Sequence, residues 1–190
     1  AIPEKTKKRA IDHFRSSREA DGGWAYREST RFSTLSMTCA GIASLHLLGV
    51  PLETHGEHCG EYRYDATMAK GLRKLVSQLR EGPGEIPGHR FPYYALYALE
   101  RVGVLLELKR IGGLDWYRTG ASYVLPRSSA EDVSKSAFEL LFLAKGSAPI
   151  AIAKWHWRGD WNNDHKDARN WVKYTSEEIG QPLDWIPAKL

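Results

Sequence analysis

Pro92-Tyr93-Tyr94-Ala95-Leu96-Tyr97-Ala98-Leu99-Glu100-Arg101-Val102-Gly103-Val104-Leu105-Leu106-Glu107-Leu108 carries apolar side chains on two sides of a single helix. Tyr93, Tyr97 and Val104 take one side; Leu96, Leu99 and Leu106 take another. A helix written this way needs neighbours on both sides, and its proline suits a first turn. The segment before it differs. Leu72, Leu75, Val76 and Leu79 fall at i, i+3, i+4 and i+7, a single apolar face. Glu81-Gly82-Pro83-Gly84 and Pro87-Gly88 supply the loop between them.

The same phrase recurs on either side. Residues 6–19 read as a one-faced helix with a stripe of Ala10, Ile11 and Phe14, ending at Asp21-Gly22-Gly23. Trp24 follows, placed to plug the end of a helix pair. A second helix over 33–48 carries Leu35, Cys39, Ile42, Leu45 and Leu48 on one side and Met37, Ala40, Ala43 and Leu47 on another. After Gly112-Gly113, Trp116, Tyr117, Ala121 and Val124 again form one face, and Val133, Ala137, Phe138, Leu140, Leu141, Phe142 and Ala144 wrap most of a cylinder. The units open at Ala10, Gly71 and Gly120 and close at Gly49, Gly103 and Gly146. One-faced helices belong outside and two-faced helices inside, so the units bury their grease only by stacking. The fold class expected is mostly α: about three helical hairpins of a partial α/α toroid over residues 1–147.

After Pro149 the pattern changes. Ile150 to Trp157 has strand length and β-forming residues. Asp160 to Asp164 is a polar turn, His165 to Ile179 a helix stopped by Gly180, and Leu183 to Ile186 a short strand. Strand, helix, strand opens a parallel α/β unit, and residues 148–190 contain too few elements to finish one. Pro51 to Tyr64, rich in His and Glu, reads as an inserted loop.

Composition excludes some classes. With 42% hydrophobic and 26% charged residues the 190-residue chain has the make-up of a globular domain. No apolar run approaches the roughly 18 to 20 residues of a membrane helix, so no membrane insertion is expected. The net charge of +4 is mild, although residues 1–20 hold six basic side chains against three acidic ones. That concentration suits a solvated outer helix face, with attraction of an anionic partner as the alternative. Basic and aromatic residues do not interleave as in nucleic-acid readers. Cys39 lies on an apolar face and suits burial, and two cysteines provide no disulfide framework.

Ala10-Ile11-Asp12-His13-Phe14 through Asp21-Gly22-Gly23-Trp24-Ala25-Tyr26 resembles the repeat of the squalene cyclase (terpenoid cyclase) and protein prenyltransferase superfamily. Ser16-Ser17-Arg18 stands where that repeat has a glutamine. The third unit keeps Gly120 to Leu125 but has Ser128-Ser129-Ala130-Glu131-Asp132 in place of the Asp-Gly-Trp ending. Residues 93–105, Gly113-Leu114-Asp115-Trp116-Tyr117, 137–146 and Gly159-Asp160-Trp161-Asn162-Asn163-Asp164 are similar to bacterial proteins in which such a toroid precedes a domain of unknown function. The resemblance implies further repeats ahead of Ala1 and the rest of an α/β domain beyond Leu190. It also marks Asp21, Gly22, Gly23, Trp24, Trp116 and Tyr117 as structural motif residues.

No catalytic set stands out. The superfamily's cyclases protonate substrate with Asp-x-Asp-Asp, which is absent; Asp160-Trp161-Asn162-Asn163-Asp164 is nearest and serves as a turn and helix cap. His55, His58 and Cys59 carry zinc-type ligand atoms, but neighbours on one short loop seldom converge on one tetrahedral ion. No metal or cofactor is therefore expected. Tyr93, Tyr97 and Glu100 share a helix side and could form an aromatic wall with one carboxylate along a toroid lumen, suited to an apolar or cationic ligand; core packing is the alternative. The expected function is a non-catalytic binding or scaffolding module that engages a ligand or protein partner. The alternative is a fragment of a cyclase- or prenyltransferase-like enzyme whose reactive residues lie outside this chain. A carbohydrate-active α/α barrel would need paired carboxylates, and only Glu100 is a good candidate.

Overall fold

The computed structural model describes residues 2–27, 32–58, 61–80, 91–128, 132–144 and 148–189. The loop expected at 81–88, the stop at Gly146, Cys59 and the segment Ser129 to Glu131 lie outside them. The chain divides into two compact units, Ala1–Leu52 with Tyr64–Ala144, and Glu53–Arg63 with Lys145–Leu190.

The first unit is helical: α1 (Glu4–Ser16), α2 (Leu35–Leu47), α3 (Ala66–Arg80), α4 (Pro92–Leu105), α5 (Trp116–Val124, extended by a 3-10 turn over Leu125–Arg127) and α6 (Val133–Ala144). Side-chain caps set several starts. Thr34 Oγ1 accepts from Met37 N, and Asp115 Oδ1 accepts from Arg118 N. Asp65 Oδ1 accepts from both Thr67 N and Met68 N, which starts α3 five residues ahead of Gly71. The first helix ends sooner than the 6–19 reading because Glu19 N bonds Gly23 O and Gly22 N bonds Glu19 O, turning the chain.

Burial alternates between α1 and α2, but α3 buries five residues and α6 only two, so the alternation does not run through the unit. α1 has no fully buried residue, whereas α2 buries Leu35, Thr38, Cys39, Gly41, Ile42 and Leu45. α2 packs on α1, α3 and α4, and α4 packs on α2, α5 and α6. α2, α4 and α6 thus pack one on the next. Ile42, Leu96 and Phe142 are at most 1% exposed. The α3 stripe is rotated from the expected one: Met68, Gly71, Leu75 and Leu79 are buried, while Leu72 and Val76 sit half-buried at its edge.

Two further expectations fail for physical reasons. Gly71, Gly103 and Gly120 are not unit boundaries but lie inside α3, α4 and α5. A methyl group at Gly41 would collide with the Trp24 ring, and one at Gly103 with the Trp116 ring. These glycines let an indole lie directly on a helix backbone. The second failure is α6, written as apolar all round. Only Glu139 and Phe142 are fully buried, and Val133, Leu140 and Leu141 are exposed. Among the described residues α6 packs on α4 and α5, so one apolar side stays uncovered.

The second unit contains the parallel pair expected. β3 (Ile150–His156) and β4 (Asp184–Lys189) run parallel, with α7 (Asp167–Ile179) between them in sequence. α7 contributes Ala168 and Val172 to a small core with Trp185, Ile152 and Leu183. Gly180, at φ 66°, ends the helix in the left-handed conformation. The insertion read as a loop carries two short paired strands, β1 (Glu53–His55) and β2 (Tyr62–Tyr64). Among the described residues no helix is long and apolar enough to cross a membrane.

Candidate functional site

Tyr93, Tyr97 and Glu100 lie on the side of α4 that meets α5 and α6. Tyr93 and Tyr97 are half-buried, and Glu100 is 1% exposed. The Phe138 ring of α6 sits 5.6 Å from Tyr94 and 5.5 Å from Tyr97, and Tyr123 of α5 lies 6.1 Å from Tyr93. Rings of α4, α5 and α6 gather here.

The charges on α4 beside these rings are already matched. Arg101 Nη2 donates to Glu100 Oε1 at 2.7 Å and Nε to Oε2 at 2.5 Å, a two-pronged contact. The hydrogen bond to Glu100 raises the Arg101 pKa, against the opposing pull of burial. The Arg101 guanidinium also stands 5.4 Å from the Tyr97 ring centre, and Lys135 Nζ is 5.0 Å from that of Tyr93. These are the positions a cationic ligand would take over the rings.

A second buried carboxylate, Glu139, is 4% exposed. Ser128 Oγ donates to its Oε2 at 2.9 Å, and Lys135 Nζ lies 3.6 Å from its Oε1. Desolvation alone would lower the Lys135 pKa, yet Tyr93 and Glu139 together raise it. Glu139 and Lys135 were missed in the sequence. The signal was there: Glu139 interrupts Ala137 to Ala144 as Glu100 interrupts the apolar run of α4. A lone carboxylate within such a run has to find a partner.

The motif residues are structural ties. Trp24 is 4% exposed, and its Nε1 donates to Phe14 O at 2.8 Å, fixing the turn to α1. Asp21 accepts from Gly23 N at 3.0 Å and Ser33 Oγ at 2.6 Å, and it pairs with Lys74 at 3.0 Å. Burial works against ionisation of Asp21, but Ser33, Gly23 and Lys74 outweigh it and the pKa falls. Gly22, at φ 97°, supplies the left-handed corner. Trp116 repeats the plug: it is 4% exposed and its Nε1 donates to Leu108 O at 2.5 Å. Tyr117 OH donates to Leu143 O at 2.9 Å, tying α5 to α6. A cleft of about 230 Å³ opens beside the first plug, lined among others by Phe14, Glu19, Trp24, Tyr26 and Met37.

His55 lies on β1 with its ring 5.4 Å from Tyr62, and His58 follows in the connecting turn. Among the described residues no three His, Cys, Asp or Glu side chains are grouped to hold a metal ion. Asp160 to Asp164 form the turn between β3 and α7. No protein-family model, curated protein or solved structure matches this chain.

Proposed function

We propose that this chain is a non-catalytic binding or scaffolding module, built of α/α-toroid hairpins like those of squalene cyclases and prenyltransferases and joined to a small strand–helix–strand unit. The observation that carries the reading is the state of Glu100, the buried carboxylate of α4. Both oxygens of Glu100 accept from Arg101, whereas Glu139 accepts from Ser128 at Oε2 only, its buried Oε1 having no hydrogen-bond partner and lying 3.6 Å from Lys135 Nζ. Glu100 therefore has no oxygen left to address a substrate. An acid that protonates an alkene needs a proton free to give. The uncovered apolar side of α6 supports a scaffolding role, since hairpin arrays bury such faces by stacking.

The test is turnover. The protein is incubated with squalene, and separately with farnesyl diphosphate, a cysteine-containing peptide and zinc, and products are sought by mass spectrometry. No product is expected from either mixture. Conversion that disappears in Glu100→Gln would establish the enzyme reading in its place.

A further inference from the structure

Two motifs left aside by that reading, the polar insertion after α2 and the turn before α7, meet in the second unit. Glu53 of β1 has a side chain only 6% exposed. Its two oxygens lie 2.9 and 3.0 Å from His165 Nε2, 112 positions away, and Lys166 Nζ is 2.8 Å from Oε1. Beside them Tyr62 OH donates to Asp164 Oδ1 at 3.0 Å, and the Tyr62 ring lies 4.0 Å from that of His165. Lys154 of β3 is committed elsewhere, to both oxygens of Asp167, to Asn162 and to the Asp164 carbonyl. His165 and Lys166 are thus the two groups that receive the Glu53 carboxylate.

We propose that His165 and Lys166 form a binding site for a small oxyanion, a carboxylate or phosphate group, and that the Glu53 carboxylate fills this site in cis. Three observations carry the assignment. The pair stands beyond the carboxyl end of a parallel strand, where ligands of α/β units bind. Two neighbouring donors on one carboxylate, one of them an ammonium, make the charge-assisted cradle that oxyanions require. The third is how the hairpin is held. The core of this unit is Ala168, Val172 and Trp185 with Ile152 and Leu183, and it includes no residue of 53–63. Glu53 and Tyr62 hold β1 and β2 by polar ties, and two strands of three residues have little stability of their own. A carboxylate seated this way exchanges for another anion without unmaking a core. Burial opposes ionisation of Glu53, but the hydrogen bonds from Lys166 and His165 overcome it and hold the carboxyl below its ordinary range, as expected of a seated anion.

Isothermal calorimetry on the full chain tests this, with sodium phosphate and sodium acetate as probes and sodium chloride of equal ionic strength as blank. Glu53→Ala is expected to bind phosphate or acetate at least about tenfold more tightly than the unaltered protein, and Lys166→Ala added to it removes the gain. Preference for phosphate assigns the site to phosphate groups, and preference for acetate to carboxylates. Equal affinities in the unaltered and Glu53→Ala proteins, or a gain that survives Lys166→Ala, overturns the proposal. Where Glu53→Ala fails to fold, Glu53→Gln, of the same shape without the charge, carries the same expectations. In the unaltered protein, phosphate should also speed tryptic cutting after Arg63; a rate equal to the chloride blank overturns displacement of the hairpin.

Discussion

Trp24 shows how much of this fold rests on single side chains. Its indole lies on the backbone of α2 at Gly41, touches α3 near Gly71, and holds α1 through a hydrogen bond to Phe14 O. Trp24→Ala should cost about 3 to 5 kcal/mol, the range for emptying a buried aromatic site. Gly41→Ala should cost about 1 to 3 kcal/mol, since the added methyl has nowhere to go. Urea unfolding followed by circular dichroism measures both, and an unchanged midpoint for either would show that the ring does not sit there. Cys39 offers a non-destructive check on the same core. It is 1% exposed, and burial pushes its thiol far above the ordinary range. In a Cys59→Ser background, Ellman's reagent should label Cys39 only as fast as the unit unfolds. Prompt labelling in native buffer would mean that α2 is not packed as described.

At the scale of elements, α6 separates what the sequence writes from what the chain provides. Its composition calls for neighbours on two sides, and among the described residues α4 and α5 cover one. Leu140→Ser should therefore change stability by no more than about 0.5 kcal/mol, as at other exposed positions. Phe142→Ala, which removes a ring stacked 5.5 Å from Tyr117, should cost about 3 to 5 kcal/mol. Thermal melts of the two variants side by side give the contrast, and equal losses would mean that Leu140 is covered in solution. The comparison also shows where sequence patterns carry information. Periodicity found the six helices described in the first unit and the parallel pair of the second, because a 3.6-residue or strand-like repeat is local. It could not distinguish a glycine that ends a helix, such as Gly49 at φ 91°, from one that admits an indole, such as Gly103. That difference lies in which ring arrives from elsewhere. The same limit applies to the wall on α4. The shared side of Tyr93, Tyr97 and Glu100 follows from spacing, whereas Lys135, Phe138 and Glu139 join it only through the packing of α6. The tie between Glu53 and His165, made over 112 positions, left no local trace.

At the scale of the whole molecule, the carboxylates predict how the two units respond to acid. Asp21 in the first unit, and Glu53 and Asp164 in the second, all have pKa values below the ordinary 3.8 or 4.5. For each, burial opposes the charge and is outweighed, at Asp164 by the Lys166 backbone amide and Tyr62, with Lys154 and His165 adding to the effect. A carboxyl that binds its proton less readily when folded than when unfolded favours folding above its unfolded pKa. That contribution fades as pH falls through the folded value, where the native carboxyl also takes up a proton. Both units should therefore lose stability progressively below about pH 5. Because a two-unit chain need not unfold in one step, the variants should act separately. Asp21→Asn should flatten the acid dependence of the helical transition, followed by far-ultraviolet circular dichroism, and leave the response of the second unit as it was. Glu53→Gln should do the reverse, read from hydrogen exchange at Ile152 and Val172 amides from about pH 5 downward, the window that opens at the unfolded Glu value and extends below it. If Asp21→Asn altered exchange at Ile152, or if neither variant changed any acid slope, these hydrogen-bonded carboxylates would not be the groups that acid discharges.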